Sequence, residues 1–279
     1  MKRTPVTERL AAGLGFTEGP VWTPTSTLML AGLSRGLIYE IDYNSGRKLW
    51  SFETGGRPNG LAAGANAEFW IAQAGSLEVT ASIQHLVNTS MNTHLGPFDA
   101  PNDLAFAPDG RLWFTDPKGH AFEGVPQAGR IWSLDPATGS SNIEAEDILY
   151  PNGLAFEPSG SWLYVAETGT AQILRYRWLR GSLGNVEVFA ALASGYPDGI
   201  AFDCRGYLYV AATFAGSVQV YDPSGDLVES LNLPPGSFPT NVCFAGPDLK
   251  YLIITSPPEG SVYSIKRDEG GASLFVPAK

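Results

Sequence analysis

Cysteine, histidine and methionine are scarce in this chain, whose 279 residues include 2 Cys, 3 His and 3 Met. Cys204 and Cys243 do not have the spacing of a thiolate metal site, so a structural zinc or iron centre held by cysteines is excluded. The two cysteines also fall at unlike points of the repeat described below. We therefore expect two buried free thiols rather than a disulfide.

Positively charged residues are also few: the chain has 18 Lys and Arg but 28 Asp and Glu, which gives a net charge of −10. A nucleic-acid partner requires clustered basic residues, and here they are scattered. No apolar run approaches the ~18 residues of a membrane-spanning helix, and the first residues lack the apolar core of a signal peptide. We therefore predict a cytoplasmic protein with neither a nucleic-acid nor a membrane partner.

Glycine, proline and aromatic residues are abundant instead: the chain has 32 Gly, 21 Pro, 7 Trp, 11 Tyr and 14 Phe. This composition favours many short strands joined by tight turns over a helical fold. With 44% hydrophobic residues, a chain of this length can bury a large core. We predict one domain that extends over residues 1–279.

One sequence pattern recurs along the chain: a polar residue after a turn, a short apolar strand, another turn and a second strand. Its copies begin FTEGPVW, RPNGLAA, PNDLAF, PNGLAF, PDGIAF and PTNVCF. Their polar positions follow one another at separations of 41 to 50 residues and are Glu18, Asn59, Asn102, Asn152, Asp198 and Asn241. Six copies at this period, each with about four strands, predict an all-β six-bladed β-propeller with four-stranded antiparallel blades.

Two parts of the chain complete this prediction. Residues near 5–12 should pair with the last blade, because an open sheet edge would promote aggregation. The segment QHLVNTSMNTHLGPFDA, residues 84–100, lacks a clear strand pattern, and we expect it to be irregular.

The polar positions of the repeat also predict a central metal site. In each blade the strand nearest the axis begins on the same face of the propeller, so the six side chains should meet at one mouth of the channel. The carboxylates of Glu18 and Asp198 and the amide oxygens of Asn102 and Asn152 form an all-oxygen set that suits a hard divalent cation. We predict Ca²⁺, with Mg²⁺, Mn²⁺ and Zn²⁺ as alternatives. Turn chemistry alone accounts for Asn59 and Asn241.

The ordered motifs FTEGPVW, PND, YPNGLAF and PDGIAFD resemble those of the SMP-30/gluconolactonase/LRE-like six-bladed propellers, and the bacterial gluconolactonase type is the nearest. The resemblance covers residues from about 14 to 266. It implies that Glu18, Asn152 and Asp198 bind a catalytic divalent metal, and that Asn102 is a ligand or a substrate contact. Animal sugar lactonases have an Arg where this chain has Ala100, so the resemblance does not extend to sugar specificity.

These observations predict a metal-dependent hydrolase that opens a sugar (aldono) lactone, or a related small lactone, by metal-assisted attack of water. Asp198 would accept a proton from the water, and Asn102 would help to orient the substrate. His120 is predicted on the same face, where it could bind substrate and protonate the leaving group. Asn59 is a further candidate substrate contact. A closed propeller is expected to be a monomer.

Two alternatives remain open at this stage. A phosphotriesterase-like hydrolase would use a similar metal site, with Asp198 as the nucleophile. A binding propeller with a structural calcium would need no catalysis, because fold alone does not establish function. A serine esterase is disfavoured, because the sequence lacks a Gly-x-Ser-x-Gly elbow.

Overall fold

The computed structural model describes residues 6–65, 68–119 and 127–277, with the backbone alone for Thr93 and His94. Over these ranges the strands form six four-stranded antiparallel sheets, which are the blades of a propeller, and the predicted fold class is confirmed. The helical segments among the described residues are short 3₁₀ turns at Leu33–Arg35, Thr168–Thr170 and Pro258–Gly260. None of the described helices is long and apolar enough to cross a membrane.

The first five blades each contain four consecutive strands, of which the first lies nearest the channel and the fourth lies outermost. Blade 1 contains β2 (Thr17–Trp22), β3 (Leu28–Gly32), β4 (Leu37–Ile41) and β5 (Lys48–Glu53). Blade 2 contains β6 (Pro58–Ala63), β7 (Glu68–Gln73), β8 (Ser82–Val87) and β9 (Ser90–Leu95). Blade 3 contains β10 (Leu104–Phe106), β11 (Leu112–Asp116), β12 (Ala128–Leu134) and β13 (Ser141–Leu149). Blade 4 contains β14 (Pro151–Phe156), β15 (Trp162–Glu167), β16 (Gln172–Trp178) and β17 (Leu183–Ala191). Blade 5 contains β18 (Tyr196–Phe202), β19 (Leu208–Thr213), β20 (Ser217–Tyr221) and β21 (Leu227–Asn232).

Blade 6 is completed by the first strand of the chain. It contains β22 (Asn241–Ala245), β23 (Tyr251–Ser256) and β24 (Ser261–Lys266), and its outermost strand is β1 (Thr7–Ala11). Thr7 lies opposite Ile265 and Arg9 opposite Tyr263 in an antiparallel pair. The predicted pairing of residues 5–12 with the last blade is confirmed, and it joins the two ends of the ring.

The expectation of an irregular segment at residues 84–100 is wrong for most of that segment. β8 and β9 form a hairpin in which Val87 pairs with Ser90, so that Asn88 and Thr89 make a two-residue turn. Asn88 has φ 57°, and Asn tolerates this left-handed conformation better than most residues. The strand pattern was hidden because buried positions of β8 carry polar residues such as Gln84 and because β9 is the outermost strand of blade 2.

The hydrophobic core lies between the blades. Among the described residues the buried apolar side chains form six clusters, one at each interface between neighbouring blades. Between blades 3 and 4, for example, Trp113 packs with Leu154 and Leu163. Because every inner strand contributes to two such clusters, its position relative to the channel is set by packing on both sides.

The two cysteines differ in exposure. Cys243 is buried in β22, as expected, whereas Cys204 is exposed. Cys204 follows the end of β18 in the turn that Asp203 closes by donating its N–H to the carbonyl of Tyr207. The expectation of two buried thiols is therefore wrong for Cys204, while the expectation that both are free is confirmed.

The end of the channel opposite the polar mouth contains a cavity of ≈ 410 Å³ that is lined mainly by apolar side chains of the inner strands and by residues 272–276. The C-terminal segment reaches it by crossing that face of the propeller. Ala272 donates its N–H to the carbonyl of Phe202 in blade 5, and Phe275 packs edge-on against Phe156 in blade 4. This end of the channel is thus partly covered by the chain itself.

Candidate metal and substrate site

The inner strands begin on one face, which we call the channel mouth, and the six polar residues of the repeat lie there. All six side chains are buried: Glu18, Asn59, Asn102, Asn152, Asp198 and Asn241. The ends of the second strands return to the same face. Gln73, Asp116 and Thr213 are the last residues of β7, β11 and β19.

The six residues do not share one register position. In four blades the polar residue comes two residues before the Leu or Ile that begins the apolar part of the inner strand. These pairs are Asn59 and Leu61, Asn102 and Leu104, Asn152 and Leu154, and Asp198 and Ile200. Glu18 comes three residues before Val21, and Asn241 directly precedes Val242. The expectation of one shared position is therefore wrong for Glu18 and Asn241, and the mouth has polar groups at more than one depth.

Hydrogen bonds between blades fix the relative height of the inner strands. The hydroxyl of Thr115 donates to the carbonyl oxygen of Asn152 at 2.7 Å, and that of Thr168 donates to the carbonyl of Pro197 at 2.7 Å. On the opposite side, the Thr240 hydroxyl donates to the carbonyl of Thr17 at 2.9 Å. The backbone beside Asn152, Asp198 and Glu18 is therefore anchored to the neighbouring blade.

Two glycines allow the inner strands to come close together at the mouth. A Cβ at Gly153 would lie 2.4 Å from the carbonyl oxygen of Asp198, and a Cβ at Gly199 would lie 2.1 Å from Cγ of Asn241. Neither distance is possible for a real side chain, so these positions require the smallest residue. The Gly that follows the polar residue in PNG and PDG thus makes the channel narrow.

The two carboxylates of the predicted ligand set raise each other's energy. Burial, followed by the nearby Asp103 carboxylate, raises the pKa of Glu18 to about 8. Burial also raises the pKa of Asp198 well above its usual range, and the charges of Glu18 and Asp103 add to the rise. The Asn152 side chain and the Gly199 N–H lower it by hydrogen bonding to the carboxylate. Burial and mutual repulsion therefore disfavour the ionised forms of both carboxyl groups unless a cation compensates their charge.

Asp103 and Asn241 bridge the channel below this ring. The Asn241 amide donates to the Asp103 carboxylate at 3.3 Å, although the two residues belong to blades 3 and 6, on opposite sides of the axis. Asp103 also accepts from the N–H of Leu104 at 2.9 Å, and burial raises its pKa to about 6. This pair, which we call the channel bridge, separates the polar mouth from the apolar cavity.

The donor chemistry of the mouth fits a divalent cation. Within the described residues, no group of three or more His, Cys, Asp and Glu side chains is placed to hold a metal. The set therefore depends on amide oxygens from Asn102 and Asn152 beside the two carboxylates. A cation between Glu18 and Asp198 would favour the ionised form of both and offset their repulsion. All four residues supply the oxygen ligands that hard cations take.

Tyr150 is a site residue that the repeat did not indicate. It stands two residues before Asn152, is 7% exposed and has φ 55°. Burial, followed by the charges of Asp198 and Glu18, raises the pKa of its hydroxyl, which places that hydroxyl within electrostatic reach of both carboxylates. An aromatic residue directly before the PNG motif was the only available signal. His120, by contrast, lies outside the described residues.

Comparison with known proteins gives consistent results. Residues 16–257 match the family model described as SMP-30/Gluconolactonase/LRE-like region. A 6-deoxy-6-sulfogluconolactonase from Pseudomonas putida is 33% identical over 169 residues, which are 56% of this chain and 53% of that protein, so the chain spans about half its length. A gluconolactonase from Zymomonas mobilis subsp. mobilis is 24% identical over 275 residues, covering 86% of this chain and 76% of that one. The solved structure of a gluconolactonase from Xanthomonas campestris has a TM-score of 0.80 at 26% identity, covering 94% and 89% of the two chains.

Proposed function

The chain belongs to the SMP-30/gluconolactonase/LRE-like family, and from that premise we propose that it hydrolyses a small lactone at the channel mouth. Relatives that carry lactonase names support this class of reaction. The observation that carries the proposal is the convergence of two buried carboxylates, Glu18 and Asp198, with amide oxygens at one mouth of a closed propeller.

One divalent cation, Ca²⁺ in the first instance, is the proposed cofactor. Glu18, Asn152 and Asp198 would hold it, and Asn102 would be either a fourth ligand or a contact to the substrate. When bound, the cation supplies Lewis-acid polarisation of the ester carbonyl. Mg²⁺, Mn²⁺ and Zn²⁺ can take the same oxygen ligands.

The side chains of the mouth would move and hold the protons. Asp198 accepts a proton from the attacking water while the water oxygen bonds to the carbonyl carbon. The ring C–O bond then breaks, and its oxygen takes the proton that Asp198 accepted, so that Asp198 is again ionised and the product is a hydroxy acid. Asn102 and Asn59 orient the substrate. Tyr150, whose hydroxyl stays protonated because its pKa is raised, is a hydrogen-bond donor for the departing oxygen. The sequence assigns the same task to His120.

The test is hydrolysis of a panel of aldono-γ- and δ-lactones and of γ-butyrolactones, followed by proton release. Each assay is run with EDTA and then with Ca²⁺, Mg²⁺, Mn²⁺ or Zn²⁺ restored. We expect turnover that EDTA abolishes and a divalent cation restores. A protein whose melting temperature responds to the metal but that opens no lactone would overturn the proposal, and the phosphotriesterase and binding alternatives would be tested next.

A further inference from the structure

One side of the channel mouth is aromatic. Phe16 and Tyr196 each stand two residues before a carboxylate of the ring, Glu18 and Asp198 respectively, and Phe238 stands three residues before Asn241. Phe214 lies in the turn between β19 and β20, on the same face. We call Phe16, Tyr196, Phe214 and Phe238 the aromatic wall. It extends along blades 5, 6 and 1.

Rings of the aromatic wall contact one another and are exposed to solvent. The rings of Tyr196 and Phe214 are 6.0 Å apart and those of Phe214 and Phe238 are 4.8 Å apart, and both pairs meet edge-on. Phe214 is 65% exposed, Tyr196 44% and Phe16 37%. A group of exposed aromatic side chains beside a buried polar site is a contact surface more often than a packing feature.

Three members of the wall, Phe16, Phe214 and Phe238, line a cleft of ≈ 760 Å³. Its other apolar lining residues include Leu233, Pro234, Pro235, Pro257 and Pro258. Asn232 and Ser237 are its polar side chains, and none of the described residues that line it carries a charge. The hydroxyls of a sugar placed here would lose water and gain few hydrogen bonds, which is unfavourable. An alkyl or aryl group placed here would leave water without losing hydrogen bonds, and burial of its apolar surface favours binding.

Phe214 is held in a strained conformation. Its φ is 61°, a value that is rare for a bulky residue. In blades 1 and 4 the left-handed residue of this turn directly precedes the third strand, as Gly36 and Ala171. Gly216 takes that position in blade 5, so Phe214 is an additional left-handed residue in its turn. A left-handed φ at a bulky aromatic residue costs free energy, and such strain is concentrated at functional sites.

We propose that the aromatic wall receives an apolar substituent of the substrate, so that the preferred substrates are small lactones with an alkyl or aryl side chain rather than polyhydroxylated aldonolactones. This inference rests on the proposed lactonase function and specifies which lactones are preferred. The ester group would lie at the carboxylate ring, and the substituent would extend toward blades 5 and 6.

The test compares four substrates in the wild-type protein and in Phe214→Gly: γ-butyrolactone, γ-octanolactone, γ-phenyl-γ-butyrolactone and D-glucono-δ-lactone. Glycine removes the ring and also relieves the left-handed strain, so the melting temperature should be unchanged or higher. We expect kcat/KM of the wild type to be highest for the two substituted lactones. In Phe214→Gly, the ratio of kcat/KM for γ-octanolactone to that for γ-butyrolactone should fall about tenfold.

Val188→Ala is the matched control, because Val188 is 55% exposed and lies on the outermost strand of blade 4. It should leave the ratio unchanged. Preference of the wild type for gluconolactone, or a ratio that Phe214→Gly does not alter, would overturn the inference and leave the lactonase proposal standing. Absence of turnover on all four substrates, with every metal, would overturn both.

Discussion

Asp198 stands where three other blades carry Asn at the same register position. The side chains of Asn59, Asn102 and Asn152 have nearly the same shape as that of Asp198, and all four are buried. Replacement of one amide by a carboxylate adds charge to the mouth without changing its geometry. The replacement of Asn by Asp in one copy of the repeat is thus the main source of the chemistry proposed for the channel mouth.

Asp198→Asn would return this position to the residue type of the other blades. In EDTA we expect the melting temperature to be unchanged or higher, because an amide like that of Asn152 replaces a carboxyl group whose ionised form is disfavoured by burial and by the charges of Glu18 and Asp103. Turnover of the best lactone should fall about 10²–10⁴-fold, the usual contribution of a general base. The measurements are steady-state kinetics and a thermal melt.

Asp222→Asn is the control for this substitution, because Asp222 lies in an exposed turn, where it accepts from the N–H of Ser224 at 2.9 Å. It should retain turnover. If Asp198→Asn kept its turnover and lost stability, the site would be structural and the proposed role of Asp198 would be wrong.

At the scale of the strand, the inner strands were predictable and the outer ones less so. Each inner strand repeats a short apolar motif between two turns, and this motif predicts the position of all six inner strands. β8 was missed because polar side chains, Ser82 and Gln84, occupy buried positions in it. β9 was missed because it lies at the edge of the blade, where burial does not enforce alternation.

The depth of Glu18 in the channel was also missed. The same bulge occurs in blade 1, between Glu18 and Val21, and in blade 2, between Pro58 and Leu61. Glu18 therefore aligns with Pro58 rather than with Asn59.

Gly153→Ala tests the close approach of neighbouring inner strands. The new Cβ would lie 2.4 Å from the carbonyl oxygen of Asp198, so that β14 and β18 must move apart. We expect the free energy of unfolding to fall by about 1–3 kcal/mol, as for other overpacked sites. Urea denaturation measures the change.

Gly236→Ala is the comparison for that change. Gly236 has φ +82° and nothing within 4 Å of its added Cβ, so it tests backbone strain without a clash, at a cost of about 1–2 kcal/mol. Equal stability of Gly153→Ala and the wild type would show that the mouth is not set by contact between the strands.

At the scale of the whole molecule, the ring depends on one short strand. β1 has 5 residues, yet it covers the edge of β24 and links the two ends of the chain. A chain that lacks residues 1–11 should melt at a lower temperature and associate through the uncovered edge of β24. Calorimetry and light scattering after size-exclusion chromatography measure the two effects.

A chain that lacks only residues 1–5 is the control, because it keeps β1 intact. It should melt and elute as the full chain does. A monomeric Δ1–11 protein with an unchanged melting temperature would show that the packing between blades closes the ring without β1.

The pairing of β1 with β24 also determines the order of events during synthesis. Thr7 leaves the ribosome long before its partner Ile265. A contact between such distant parts of a chain forms slowly, because closing the long loop between them costs entropy before the contact can offset it. Of the described strands, β1 is therefore translated first and reaches its place last. A nascent chain that stops before Ser261 lacks β24, and with it the partner on which β1 is placed.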